Sequence, residues 1–157
     1  MITLQITFRG CQLAKWIELI VKLSLEKHSA NIIHSYEPGA IKIQPKYRPA
    51  SLGSDEEKSD FITLTGSLII TPEILIEDWL QDASTLSGVD MDRVIETRPE
   101  VILLGTGENM KFPDTAIIQR CYQEKIGFEV MSTAAACRTY SVLAAEQRKV
   151  AAALMII

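Results

Sequence analysis

The spacing of apolar residues changes several times along this chain, and each change marks an element. Trp16, Ile17, Leu19, Ile20 and Leu23 fall at the spacing of an amphipathic helix. From Ile32 the pattern is that of a strand: Ile32-Ile33-His34-Ser35-Tyr36, then the turn pair Pro38-Gly39, then the alternating Ala40-Ile41-Lys42-Ile43. Proline fixes φ and glycine is free to take a positive one, so this stretch reads as a hairpin. Residues 44–60 hold Pro45, Pro49, Gly53 and the run Asp55-Glu56-Glu57-Lys58, and read as a solvated loop. Phe61–Thr65 and Ser67–Ile70 are β-rich, with Gly66 as a bend or bulge between them. Thr71-Pro72-Glu73 carries a helix-start signal: a hydroxyl cap, then a proline where its missing N–H costs nothing. Leu75, Trp79 and Leu80 lie on one side of the helix this predicts.

The second half alternates more regularly. Val89–Thr97 is a weaker segment after Gly88. Val101-Ile102-Leu103-Leu104 is apolar throughout and ends in Gly105, which reads as a strand covered on both faces and therefore as parallel. Pro113 opens a helix whose buried stripe is Ile117, Ile118, Cys121 and Tyr122, and Lys125 and Gly127 end it. Phe128–Met131 is the next strand, and Ser132 or Thr133 caps a helix to about Ala145. Lys149–Ile157 reads as a closing strand, although Ala151-Ala152-Ala153 would also suit a helix. The series predicts an α/β fold, a mixed sheet with helices against it. Strands 101–104 and 128–131 should be parallel neighbours joined by a right-handed crossover.

Composition narrows the function classes. With 157 residues, 47% hydrophobic and 23% charged, the chain fits one globular domain able to bury its own core. The net charge of −4 and the lack of a Lys/Arg cluster argue against a nucleic-acid partner. The longest apolar run near the start, Leu19-Ile20-Val21, is far too short for a membrane span or a signal-peptide core. Cys11, Cys121 and Cys137 are odd in number and far apart, and the six-residue spacing of His28 and His34 matches no metal-ligand pattern, so no metal site is expected. Unpaired thiols point to a reducing compartment. Residues 1–20 read as an N-terminal extension before a single domain over 21–157. A chain beginning at Val21 is therefore expected to keep a nearly unchanged melting temperature; a loss of several degrees would refute the division.

Candidate chemistry lies in two segments. Gly105-Thr106-Gly107-Glu108 follows the buried strand, where ligands bind in open α/β sheets. Met110 stands where a dinucleotide fingerprint needs its third glycine, and no Gly-Lys-Ser/Thr follows, so no nucleotide cofactor is indicated. Thr133-Ala134-Ala135-Ala136-Cys137-Arg138-Thr139-Tyr140 opens a helix with small residues, a cation and a thiol. Thr133, Cys137, Arg138 and Tyr140 are thus candidate pocket residues opposite Gly105, Thr106, Gly107 and Glu108. Cys137 has no histidine near it in sequence to act as base, so a Cys–His nucleophile would need His28 or His34 to arrive by folding; as a small buried hydrophobe it needs no function. No carboxylate pair or Gly-x-Ser-x-Gly elbow completes a catalytic set, which favours a binding protein over an enzyme.

Several of these stretches together are recognisable: Ser35–Ile43, Ser67–Glu73, Pro99–Glu108 and Glu129–Leu143. They resemble the small-domain family that includes the mitochondrial NADH dehydrogenase (complex I) assembly factor 3 and an adipogenesis-associated vertebrate protein, and the Ala-rich segment is similar to its bacterial branch. Ser132 and Ser141 stand where that family's pattern has Asp and Asn. The resemblance implies a three-layer α/β fold with a mixed central sheet, flanking helices and additional hairpin structure. It also implies an assembly or interaction role with a protein partner, in the bacterial cytoplasm or, for a eukaryotic member, the mitochondrial matrix. It supplies no catalytic residues or cofactor, and leaves homo-oligomerisation open.

Overall fold

The computed structural model describes residues 30–46, 61–80 and 86–156. The extension at 1–20, the amphipathic stretch 16–23, Cys11, His28 and the acidic run at 55–58 lie outside these residues. The described elements run β1 (Ile32–Glu37), β2 (Ala40–Gln44), β3 (Ile62–Leu64), β4 (Leu68–Ile70), β5 (Leu75–Glu77), α1 (Gly88–Ile95), β6 (Val101–Gly105), α2 (Thr115–Gln123), β7 (Gly127–Met131), α3 (Thr133–Ala145) and β8 (Val150–Leu154).

β1, β2 and β3 form an antiparallel sheet. The predicted hairpin is its first pair, and Gly39 turns it at φ 83°. The second sheet has the order β5-β4-β8-β6-β7. As expected, β6 and β7 are parallel neighbours, with Val101 opposite Gly127. β8 is parallel to β6, while β4 runs antiparallel to β8 and to β5, so the sheet is mixed. Gly66 lies where the chain passes from one sheet to the other. A Cβ there would sit 2.1 Å from Oδ1 of Asp78, so any other residue would have to displace that carboxylate.

The central sheet separates two cores. On one face Ile69, Ile102, Leu104, Ala151 and Ala153 meet α1 and α2 through Met91, Val94, Ile117 and Cys121. On the other Leu68, Ile70, Leu103, Ala152 and Leu154 meet α3 through Ala136, Cys137 and Tyr140, and the small sheet through Ile33, Ile41 and Ile43. The assignment alternates residue by residue along β4, β6 and β8, as the two-residue period of a strand requires. Crossovers of the usual hand explain the layering. The chain goes from β6 to β7 in one direction and returns from β7 past β6 to β8 in the other, so α2 and α3 must cover opposite faces. The alanines of β8 keep the middle of the sheet thin where both layers press on it.

Four expectations need correction, the simplest being that Tyr122, placed in the buried stripe of α2, is exposed. Residues 71–80 are not a helix. Thr71 Oγ1 does accept from the N–H groups of Ile74 and Glu73, at 2.8 and 3.2 Å, much as a cap would. But Thr71 N–H also donates to the Ile74 carbonyl at 2.8 Å, which closes a turn, and Leu75–Glu77 then pair back onto β4. Strand pairing within the core overrides the local start signal. Pro113 does not open α2. Asp114 is its N-cap, accepting from Ala116 N–H at 2.8 Å, and Pro113 precedes it. The closing segment is strand only over Val150–Leu154, because pairing with both β4 and β6 claims its backbone groups and outweighs the helix propensity of its alanines.

Each of the three helix-to-strand connections among the described residues contains a non-glycine residue at positive φ: Arg98 at 53°, Lys125 at 60° and Gln147 at 59°. A Cβ in this region costs about 1 kcal/mol. Lys125→Gly is therefore expected to raise stability by about 0.5–1 kcal/mol, read as an increase of about 1–4 °C in Tm. A lowered Tm would show that the Lys125 side chain contributes more than its backbone strain removes.

Candidate functional site

The Gly105–Glu108 loop and the first turn of α3 are neighbours, and Gly107 and Thr133 bond to each other directly. Thr133 is fully buried, and its hydroxyl donates to the Met155 carbonyl at 2.7 Å while accepting from Gly107 N–H at 2.8 Å. Thr133 N–H donates to the Gly107 carbonyl at 2.8 Å, and Met155 N–H to the Gly105 carbonyl at 2.9 Å. Gly107 adopts φ 93° to present both of its groups. At Gly105 a Cβ would come within 3.0 Å of Thr133 Cα and of a Leu154 methyl group. Thr106 is buried as well; its hydroxyl accepts from Lys111 N–H at 2.9 Å and donates to the Asn109 carbonyl at 3.0 Å. Gly105, Thr106, Gly107 and Thr133 thus form a clasp that ties the carboxyl ends of β6 and β8 to the start of α3. These polar groups are used within the protein.

The other candidates separate. Tyr140 lies in the core, and its hydroxyl donates to the Asn31 carbonyl at 2.9 Å. Cys137 and Arg138 line a cavity of about 260 Å³ between α3 and β1. Ala134 and Ser141 complete its α3 wall, at helical positions i, i+3, i+4 and i+7, and Ile33 to Tyr36 form the opposite wall. The pairing of β1 with β2 shifts register between Ile33 and Ser35, which sets His34 in a bulge on that wall. Folding thus brings His34, one of the two histidines that could have served Cys137, to the same cavity, whereas Ser35, Tyr36 and Ser141 were not expected there; the helical stripe 134-137-138-141 was the signal that could have found Ser141. Glu108 is exposed, yet its charge reaches Tyr36: burial chiefly, then Cys137 and Glu108, raise that phenol above its ordinary value.

The thiol is badly placed for nucleophilic work. Burial pushes Cys137 from 9.0 up to about 12, although Arg138 pulls the other way. Burial raises the Tyr140 phenol too. Cys137 should therefore resist iodoacetamide in the native protein from neutral pH to about pH 9, as site-resolved mass spectrometry would show; rapid alkylation near neutrality would contradict this burial. The same shift has a stability consequence. Between 9.0 and about 12 the unfolded chain has released the Cys137 proton and the native chain retains it. Stability is thus unaffected below pH 9.0 and falls as pH rises above it, by up to about 1.4 kcal/mol per pH unit.

The family described as "Protein of unknown function (DUF498/DUF598)" matches residues 33–155, which hold both sheets, all three described helices, the clasp and the cavity. The chain belongs to that family. Among its relatives is the "13 kDa major membrane protein" of Francisella tularensis, 31% identical over 83 residues, covering 53% of this chain and 68% of the relative. Another is the zebrafish (Danio rerio) "NADH dehydrogenase [ubiquinone] 1 alpha subcomplex assembly factor 3", 24% identical over 132 residues, covering 83% of this chain and 67% of the relative. The family is thus one that includes complex I assembly factors. A Xanthomonas campestris protein solved by NMR has the same fold, with a TM-score of 0.65 at 33% identity over 83% of this chain and 89% of that one. No helix among the described residues is long and apolar enough to cross a membrane.

Proposed function

We propose that this chain is a non-catalytic interaction module of the assembly-factor kind, helping subunits of respiratory complex I or of another membrane complex to come together. The likeness to the zebrafish assembly factor, which runs over 83% of this chain, is the observation that supports this reading most. The site geometry adds to it: the loop and helix start that would serve a catalyst are taken up in a structural clasp, and the thiol beside them is held protonated. On this reading the partner is a protein, not a nucleic acid, met in the bacterial cytoplasm or in a mitochondrial matrix. Affinity capture at native expression, with cross-linking in the cell, tests it. The expected result is reproducible recovery of a membrane-complex subunit; recovery of no reproducible protein, or only of a second copy of the chain, would overturn it.

A second reading has its own observation. The cavity of about 260 Å³ between β1 and α3, with Tyr36, Arg138 and Ser141 on its walls and Glu108 near it, would take a small polar ligand. Thermal-shift screening of small carboxylates and phosphates, with Arg138→Ala as the control, decides it: a ligand whose effect survives that substitution does not occupy this cavity.

A further inference from the structure

The opposite end of the sheet, away from the clasp, holds a larger concavity of about 690 Å³. Three connections build it: the β4–β5 turn, the α1–β6 connection and the α3–β8 connection. Glu100 N–H donates to the Lys149 carbonyl at 2.7 Å and Val101 stands opposite Val150, so the last two connections lie side by side. The register brings Arg98 from one next to Arg148 and Lys149 from the other. All three cations are exposed and line the groove, and none is ion-paired among the described residues. The one carboxylate among the described lining residues, Glu73, is already paired with Lys46. Glu96, Glu100 and Glu146 belong to the same connections but do not line the groove. Between the cations the walls are mostly apolar, with Ala30, Pro72, Ile74, Pro99, Ala144 and Val150 outnumbering Thr71, Thr97 and Gln147, and Ile74 is exposed, at 42%.

This combination selects an occupant. Apolar walls call for aliphatic side chains, and three unpaired cations around them call for carboxylates. A nucleic acid would need a longer basic track and would meet a chain of net charge −4. A membrane surface would need a flat or convex basic face, whereas this one is concave. We infer that the groove receives a short segment of a partner protein in which acidic and aliphatic side chains alternate. The inference rests on the interaction-module reading and supplies the surface that reading lacks.

The test uses the full chain and a fluorescein-labelled peptide of alternating glutamate and leucine, followed by anisotropy. Binding is expected. It should weaken about tenfold or more in the triple variant Arg98→Ser, Arg148→Ser, Lys149→Ser, and separately in Ile74→Ser, since both the charges and the apolar wall contribute. All four positions are exposed, so the variants should melt as the native chain does. A peptide with lysine for glutamate, or with serine for leucine, should not bind measurably. Absence of binding by the acidic peptide, binding that the variants leave unchanged, or cation-dependent binding only to phosphatidylglycerol vesicles would each overturn the inference. Repeating the affinity capture with the triple variant separates this outcome from the broader one. A partner recovered equally by native chain and variant refutes the groove and leaves the interaction reading standing. No partner for the native chain refutes that reading whatever the peptide does.

Discussion

Tyr140→Ala should cost about 4–6 kcal/mol, a large share of the roughly 5–15 kcal/mol that native domains have. The ring is fully buried between α3 and the small sheet, among Ile33, Ile41, Ile43 and Leu103, so its removal leaves a cavity that the two sheets cannot easily close. Its hydroxyl is a second contribution. It satisfies the carbonyl of Asn31, a buried residue that also binds Thr71 O through Nδ2 at 2.9 Å, Lys46 N–H through Oδ1 at 2.7 Å and Pro72 O through its own N–H at 2.8 Å. Asn31 thus links α3, β1, β2 and the β4–β5 turn. Tyr140→Phe isolates the hydroxyl and should cost about 1–2 kcal/mol. Urea unfolding of the two variants separates the contributions. A phenylalanine variant as unstable as the alanine variant would mean that the ring's packing matters little and the polar link nearly everything.

Thr133→Val should cost about 2–4 kcal/mol, although valine has nearly the same shape. The loss is electrostatic: the Met155 carbonyl and the Gly107 N–H each lose the partner that the hydroxyl now supplies, in a place with no water to replace it. Thr133→Ser keeps the hydroxyl and should lose only about 1 kcal/mol, for one methyl group. Hydrogen exchange adds a local readout, since the Gly107 amide should exchange much faster in the valine variant alone. If valine proves neutral, the clasp is not what holds the loop to the helix.

The same clasp shows how far the sequence could be read. The strands β6 and β7, their parallel pairing and the cap at Ser132 all follow from local signals: an unbroken apolar run, a polar break, a hydroxyl before small residues. That Gly105–Glu108 and Thr133 would be close was legible from strand–helix order alone. That Gly107 and Thr133 would bond to each other directly was not, because it depends on Met155 reaching back over the end of β6. Nothing in the spacing of Gly-Thr-Gly distinguishes a loop that holds a ligand from one that holds its own chain. The cavity beside Cys137 was half legible. Its helical wall obeys the 3.6-residue period, but its other wall comes from a strand about a hundred positions earlier, and only folding relates the two. The turn at Thr71 failed differently: a threonine followed by a proline satisfies either a helix start or a tight turn, and the choice is made by β4, whose open edge accepts Leu75–Glu77.

β8 closes the sequence of described elements yet occupies the middle of the five-stranded sheet, bonded to β4 on one side and β6 on the other. Until Val150–Leu154 is available, the β4–β5 hairpin and the β6–β7 pair are two fragments with open inner edges and no common core. On a ribosome, therefore, the sheet cannot assemble gradually as the chain emerges. It must wait until this strand has cleared the exit tunnel, and the preceding apolar strands spend that interval with unpaired edges. A nascent chain of this topology should lean on chaperones during synthesis far more than its size suggests, and chains stalled before Val150 should be captured by them and degraded rather than left partly folded.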